Sequence, residues 1–244
     1  MRLLVSVRSA AEVAPAIAGG ADIVDAKEPA RGALGAVSGP VLAAIAGCVP
    51  AEMALSVALG DPEDLGGLAV AVARLDRLGP RQSPLYMKIG LSGAGTSGGA
   101  MLQAAVRAAT GLVCRPSVIA VAYADHAAAR VPPPEAVLGL ALAVGADGVL
   151  LDTWGKGAGD LFHHIEGARL ASWVAEARSG RLLVALAGSL TLSGVRAAST
   201  LSADIIGVRG AACVGGRDGV VAAELVGALK AAMVGDGAPS VIAS

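Results

Sequence analysis

A chain of 244 residues that is 55% hydrophobic but only 2% aromatic must fill its core with Ala, Val, Leu and Ile, and its length suits a single eight-stranded α/β barrel. A formal charge of −1 gives no electrostatic basis for binding nucleic acid or an anionic membrane. Cys48, Cys114 and Cys213 are odd in number and scattered, without a C-x-x-C pair, which argues against a disulfide framework or zinc site and for small buried thiols in a reducing compartment.

Mean hydropathy is high, +0.66, so a membrane span has to be tested. The longest uncharged run, Gly32 to Ala51, holds Pro40, Pro50, Ser38 and four glycines, a poor membrane helix. The apolar stretch Leu3 to Val7 stops at Arg8, short of what a signal peptide needs. A soluble, cytoplasmic protein is expected.

In chain order, Leu3 to Val7 reads as a first buried strand. Ser9-Ala10-Ala11-Glu12 then has the form of a capping box opening a helix that stops at Gly19-Gly20. Asp22 to Lys27 is a second strand, ended near Pro29, which cannot donate to a ladder. Ser38-Gly39-Pro40 opens a helix, and Glu52 to Leu59 is the third strand. Asp61-Pro62-Glu63-Asp64 supplies a cap, a proline and acids for the next helix.

Leu85 to Leu91 is the fourth strand, with Tyr86, Lys88 and Gly90 on one face, and Ser117 to Ala124 the fifth. A helix opens at Pro133 and ends at Gly145, and Gly148 to Asp152 is the sixth strand. A helix over about Asp160 to Arg178 leads to strands at Leu182 to Ala187 and Asp204 to Val208. The last helix spans Asp218 to Met233, and Gly235 to Ser244 reads as a frayed tail.

Eight short apolar strands separated almost everywhere by helical patterns predict an α/β fold, a single (β/α)8 TIM barrel over residues 1–234. An open doubly wound sheet shares this periodicity. Gly20-Ala21-Asp22, Gly145-Ala146-Asp147 and Ser202-Ala203-Asp204 form a weak repeat, which places three aspartates at the barrel's floor as structural residues.

The chemistry is expected at the strand C-termini. Asp25 and Lys27 are two apart on one strand and share a face, as an ion pair sealing the barrel or as groups for a carbonyl substrate. Lys plus Arg is 19 and the only lysines are Lys27, Lys88, Lys156 and Lys230, so fifteen of those cations are arginine. Lysine, unlike arginine, can lose its proton and attack a carbonyl. Lys230 is expected on a solvated helix face.

The other three lysines join Asp25, Asp125 and Asp152 at the mouth. Clustered ammonium groups in a low-dielectric cup depress one another's pKa, freeing one as nucleophile and another as base. The residues do not say which. An anion site is expected in the loops after strands seven and eight, from Gly188-Ser189 and Gly207-Val208-Arg209-Gly210.

Other motifs carry less. Gly90 to Gly99 lacks the Gly-Lys-Ser/Thr ending of a P-loop and reads as a mobile loop. His163 and His164 face different ways on a helix and no H-E-x-x-H exists, so neither metal nor cofactor is expected. Trp154 lines the mouth or covers it.

Taken in order, Leu3-Leu4-Val5-Ser6, Ala18-Gly19-Gly20-Ala21-Asp22-Ile23-Val24-Asp25-Ala26-Lys27, Lys88-Ile89-Gly90-Leu91 and Ala122-Tyr123-Ala124-Asp125 form a series of blocks. Leu151-Asp152-Thr153 with Lys156, Ala185-Leu186-Ala187-Gly188-Ser189 and Gly207-Val208-Arg209-Gly210-Ala211-Ala212-Cys213 complete it. The series resembles the (5-formylfuran-3-yl)methyl phosphate synthase family, which makes the furan precursor of methanofuran-type C1 carriers in methanogens and methylotrophs.

The resemblance implies a lyase that condenses two glyceraldehyde 3-phosphate molecules with loss of phosphate and water. It implies Lys27 as the Schiff-base lysine and Lys88 as proton acceptor, with Asp25, Asp152 and Lys156 assisting. Gly60 to Pro84 and Ser92 to Pro116 look less like the family. A homo-oligomer is expected, whose partner is a phosphorylated small molecule.

Two rivals stand beside this reading. A phosphate-binding barrel decarboxylase or epimerase, or another class I aldolase-like enzyme, also places Asp-x-Lys at a strand end. The decarboxylase pattern continues Asp-x-Lys-x-x-Asp, and here Ala30 takes the last position. A non-catalytic metabolite-binding barrel is the other, against which the intact Lys27 and Lys88 argue.

Overall fold

In the computed structural model, which describes residues 1–234, eight parallel strands close into a barrel in chain order. They are β1 (Arg2–Val7), β2 (Ile23–Ala26), β3 (Ala54–Ala58), β4 (Leu85–Ile89), β5 (Ser117–Tyr123), β6 (Gly148–Asp152), β7 (Leu183–Leu186) and β8 (Ile205–Val208). The strand β1 pairs with both β2 and β8, so the sheet has no edge and the open-sheet alternative falls.

The surrounding helices are α1 (Val13–Ala18), α2 (Gly39–Cys48), α3 (Leu65–Ala73), α4 (Gly98–Gly111), α5 (His126–Ala129), α6 (Pro134–Val144), α7 (Leu161–His164), α8 (Gly167–Ser179), α9 (Leu192–Ser199) and α10 (Ala223–Ala232). No helix among the described residues is long and apolar enough to cross a membrane.

Strands covered by helices outside and side chains inside are buried on both faces, hence their continuous apolar runs. Two cores follow. Leu3, Val5, Val24, Leu55, Met87, Val149 and Ile206 join the larger one, between strands and helices. Leu4, Ile23, Ala54, Tyr86, Ile119, Leu150, Ala185 and Ile205, one from each strand, form the second, inside the barrel. Arg2 closes the bottom of this inner core by donating to the Tyr86 hydroxyl at 2.8 Å, with its guanidinium 5.5 Å from the ring centre.

The three repeat aspartates do lie at the floor, and each does the same work. Asp22 Oδ2 accepts the N–H of Leu3, Asp147 Oδ2 that of Val118 and Asp204 Oδ2 that of Val184, at 2.6, 2.7 and 2.8 Å. In each case the aspartate satisfies a backbone donor near the start of the neighbouring strand. Lys230 keeps a partly exposed place on α10, as expected, and its ammonium also reaches Asp22 at this floor.

Several local expectations are corrected. Ser9 makes no capping bond, because Glu12 turns inward. Asp64, accepting the Gly67 N–H at 2.7 Å, caps α3, while Asp61 faces the barrel mouth. The expected helix over 160–178 breaks at Ile165, where the backbone is extended, and its first part is capped by Asp160. Residues 95–97 form a 3-10 turn leading into α4, a helix hidden by its Gly-Gly start. Before α10 the chain forms a hairpin of β9 (Cys213–Val214) and β10 (Val220–Val221) where a helix from Asp218 was expected. All three cysteines are free, and Cys48 is exposed.

The seam between β1 and β8 is closed at its top by one buried pair. Arg209 meets Glu12 through Nη1 at 2.5 Å and Nη2 at 3.0 Å. Its remaining N–H groups go to the carbonyls of Ser6 (3.0 Å), Arg217 (3.1 Å) and Gly219 (2.7 Å). All five guanidinium donors are thereby spent on the fold.

Arg209→Met leaves the buried Glu12 carboxylate only the Arg8 N–H at 2.9 Å and the more distant Arg8 guanidinium at 3.8 Å, and is expected to cost about 3–5 kcal/mol in urea denaturation. The double variant Glu12→Leu/Arg209→Met is expected to lose clearly less, because no buried charge is left unpaired, although the carbonyls of Ser6, Arg217 and Gly219 lose a donor. Equal losses would show that the pair does not act as a unit.

Candidate active site

The C-terminal ends of the strands open into a cavity of about 640 Å³, lined by Lys27, Lys88, Asp152, Lys156, Gly188 and Ser189 among others. It extends down into the apolar barrel interior past Tyr86, Ile119 and Leu150. Barrel side chains come in layers from alternate strands. Here β2, β4 and β6 bring Asp25, Lys88 and Asp152, while β8 brings Gly207, which offers no side chain. A Cβ on Gly207 would sit 3.3 Å from that of Ala187, so its absence widens the cavity on that side.

Lys88 and Lys156 are both paired. Lys88 Nζ lies 2.7 Å from Asp25 Oδ1, an ion pair whose angles fall outside directed hydrogen-bond geometry, and the other Asp25 oxygen accepts from Ser6 Oγ at 2.7 Å. Burial pushes the Asp25 carboxyl up, but the Lys88 and Lys27 charges outweigh it and hold the group below its ordinary value. Lys156 Nζ donates to Asp152 Oδ1 at 2.8 Å, to Thr153 Oγ1 at 3.1 Å and to the Thr153 carbonyl. Burial raises Asp152 as well. The Lys156 and Lys27 ammoniums and the Thr153 N–H prevail, and its pKa falls to about 2.

Lys27 is different. It is 7% exposed, and among the described residues its ammonium makes neither a hydrogen bond nor an ion pair. Burial lowers its pKa, Asp152 raises it, Lys88 lowers it again, and the balance is about 8 against an ordinary 10.5. The ion pair expected between Asp25 and Lys27 does not form: Asp25 is taken by Lys88, which reaches it across the barrel from β4.

The loops after β7 and β8 line the same cavity, with Gly188, Ser189, Gly207, Arg209 and Gly210 all at its wall. Gly188 and Ser189 have positive φ values of 110° and 51°, and among the described residues the N–H groups of Gly188, Ser189 and Leu190 make no hydrogen bond. Three unspent donors at a cavity wall suit an anion. Glycine is required at 188, where a Cβ would meet Thr153 Cγ2 at 3.0 Å. Arg209 lines the cavity, but its donors are committed to Glu12 and three carbonyls, so its expected role as a phosphate ligand gives way to holding the loop.

Asp125 also positions. Its two oxygens accept the N–H groups of Trp154 and Gly155, each at 2.7 Å, fixing the loop that carries Lys156. Trp154 itself is 43% exposed and does not line the cavity.

Two features escaped the sequence reading. Tyr123, at the top of β5, donates to Asp61 (3.1 Å to each oxygen), and Ser92 N–H donates to Asp61 Oδ1 at 3.0 Å. Burial holds both ionisable groups of this pair, Asp61 and Tyr123, above their ordinary pKa values. The second is Arg217, at the cavity wall beyond β8. The Asp-Pro-Glu-Asp run disguised Asp61 as a helix cap, and Arg217 sits among glycines that mark only a turn.

Residues 3–230 match the model of a family described as 4-HFC-P synthase. A (5-formylfuran-3-yl)methyl phosphate synthase of Archaeoglobus fulgidus is 36% identical, covering 96% of this chain and 100% of its own. That of Methanocaldococcus jannaschii is 36% identical over 94% of this chain and 98% of its own. A putative one from Kitasatospora aureofaciens is 38% identical over 87% and 85%. Among solved structures, 3-hexulose-6-phosphate synthase from Salmonella typhimurium superposes with a TM-score of 0.66 at 15% identity, covering 96% of this chain and 99% of that one. Orotidine 5'-phosphate decarboxylase from Pyrococcus horikoshii does so at 0.60 and 14%, with 96% and 99% coverage. At those identities the likeness is one of fold.

The unpartnered amine has a consequence for stability. Between pH 8 and 10.5 the unfolded chain binds a proton at Lys27 that the folded chain has released, so this group's contribution to stability improves as pH rises through that window. Lys27→Met removes the penalty at once. It is expected to be more stable than the parent at pH 7, by an amount on the order of a few kcal/mol, and the gap should close towards pH 10.5. Urea midpoints at both pH values measure this, and a gap that does not change with pH contradicts it.

Proposed function

The chain belongs to the (5-formylfuran-3-yl)methyl phosphate synthase family, and on that premise we propose that it condenses two molecules of glyceraldehyde 3-phosphate through an imine on Lys27. Atom balance then requires release of one phosphate and two waters per furan formed. The observation that carries this reading is the state of Lys27: a buried amine facing the cavity, without a carboxylate partner and with its pKa near 8. At neutral pH a useful fraction of it is the free base that adds to an aldehyde carbon.

The adduct loses water to give an iminium, which acidifies the neighbouring C–H. Lys88, which shares the cavity with Lys27, is the acid–base group for that proton: it passes its own proton to Asp25, in contact with it, and the freed amine takes the one from carbon. The Asp152–Lys156 pair holds a second proton on the opposite side, next to Gly188 and Ser189, where it serves the departing phosphate. The N–H groups of Gly188, Ser189 and Leu190 receive one substrate phosphate. Methanofuran-type cofactor synthesis is the proposed destination of the product.

Borohydride added with glyceraldehyde 3-phosphate is expected to reduce the imine to a stable adduct on Lys27, found by peptide mapping. Lys27→Arg, which keeps the charge, is expected to give none. Lys88→Met should still trap the adduct while furan formation falls at least ~10²-fold. An adduct mapped to Lys88 or Lys156 would overturn the assignment, and a parent enzyme that releases no phosphate and makes no furan aldehyde chromophore would overturn the reaction.

A further inference from the structure

Five cations line the cavity, and they divide into two kinds. Lys88, Lys156 and Arg209 are each matched by a carboxylate, in Asp25, Asp152 and Glu12. Lys27 and Arg217 are not, among the described residues. Lys27 resolves its position by giving up its proton, which a guanidinium does not do.

The position of Arg217 is set on both sides. Its carbonyl accepts from Arg209 Nε at 3.1 Å, so the buried Glu12–Arg209 pair fixes its backbone. Its Nη2 donates to the carbonyls of Pro29 (2.9 Å) and Gly32 (2.8 Å), in the loop that follows Lys27. That leaves Nε and Nη1, three N–H groups in all, without a hydrogen bond among the described residues. Among the described residues no carboxylate lies within ion-pair distance of it, and burial already disfavours its charge. A half-buried cation, anchored by its backbone and one nitrogen and presenting its other donors at a cavity wall, is built for an anion.

We propose that Arg217 binds a phosphomonoester dianion at the cavity wall between the β2 and β8 loops, apart from the one received by the Gly188–Leu190 N–H groups. The inference rests on the reading above in one respect: a reaction between two triose phosphates needs two such places, and the N–H loop provides only one. Bridging the Lys27 loop, Arg217 holds the phosphate of one triose while its aldehyde reaches the amine. Arg217 is thus a specificity residue for the phosphorylated form of the substrate.

The test uses Arg217→Gln, whose amide can still donate to the Pro29 and Gly32 carbonyls, and Arg217→Lys, which restores the charge. Glycerol 3-phosphate, which has no aldehyde, serves as a binding probe by calorimetry. The parent is expected to bind two per chain and Arg217→Gln one. Arg217→Gln should also need at least ~10-fold more glyceraldehyde 3-phosphate for half-maximal turnover, the scale of a lost charged hydrogen bond. Arg217→Lys should recover part of both, and it alone carries the test if the Gln variant does not fold. Two sites retained with unchanged KM would overturn the proposal, as would a drop in kcat and melting temperature with binding intact. A parent that makes no furan while Arg217→Gln still loses one probe site would overturn the reaction and leave Arg217 as an anion ligand. Furan formation with unaltered probe binding in the variant would do the reverse.

Discussion

Burying positive charge is costly, and this barrel does it repeatedly within one cavity. Asp25 meets Lys88 at 2.7 Å, Asp152 meets Lys156 at 2.8 Å, and Glu12 meets Arg209 at 2.5 Å. Each pair offsets desolvation with Coulomb attraction and further hydrogen bonds. The amine left over, Lys27, has no carboxylate in contact and settles the matter by titrating near 8. Its readiness to lose the proton therefore comes with the neighbouring carboxylates being taken by other cations.

The fold serves this arrangement in a direct way. The inner core takes alanines at Ala54, Ala185 and Ala187, and the cavity wall takes Gly207, so the interior keeps an open shaft under the charged layer. The floor is closed by aspartates that satisfy strand N–H groups and by Arg2 against Tyr86. The Glu12–Arg209 pair does at the top of the seam what those aspartates do at the bottom, and through the Arg217 carbonyl it also sets the wall of the site.

Much of this was legible in the sequence. The eight strands stood out because parallel strands buried on both faces read as unbroken apolar runs. The mouth residues followed from their places at strand ends, and the floor aspartates from a repeated Ala-Asp. What stayed hidden is pairing across distance. Arg209 and Glu12 are 197 residues apart, and nothing at Ser9-Ala10-Ala11-Glu12 distinguishes a buried acid from a helix cap. Likewise Asp25 beside Lys27 suggested the wrong partner, because nothing in the sequence shows that Lys88 of β4 reaches the same carboxylate across the barrel. The β9–β10 hairpin escaped because its strands are only two residues each.

The central claim, that Lys27 alone among the cavity lysines is unpaired and ready to lose its proton, can be measured on the enzyme itself. The chain has only four lysines, so uniform 13Cε-lysine labelling gives four side-chain signals that substitution can assign. Titrated by NMR from pH 6 to 11, one signal is predicted to move with a midpoint near 8 and to be absent from Lys27→Arg. If every signal moves only above pH 10, or if Lys27→Arg keeps the signal that moves near 8, the account of this site is wrong.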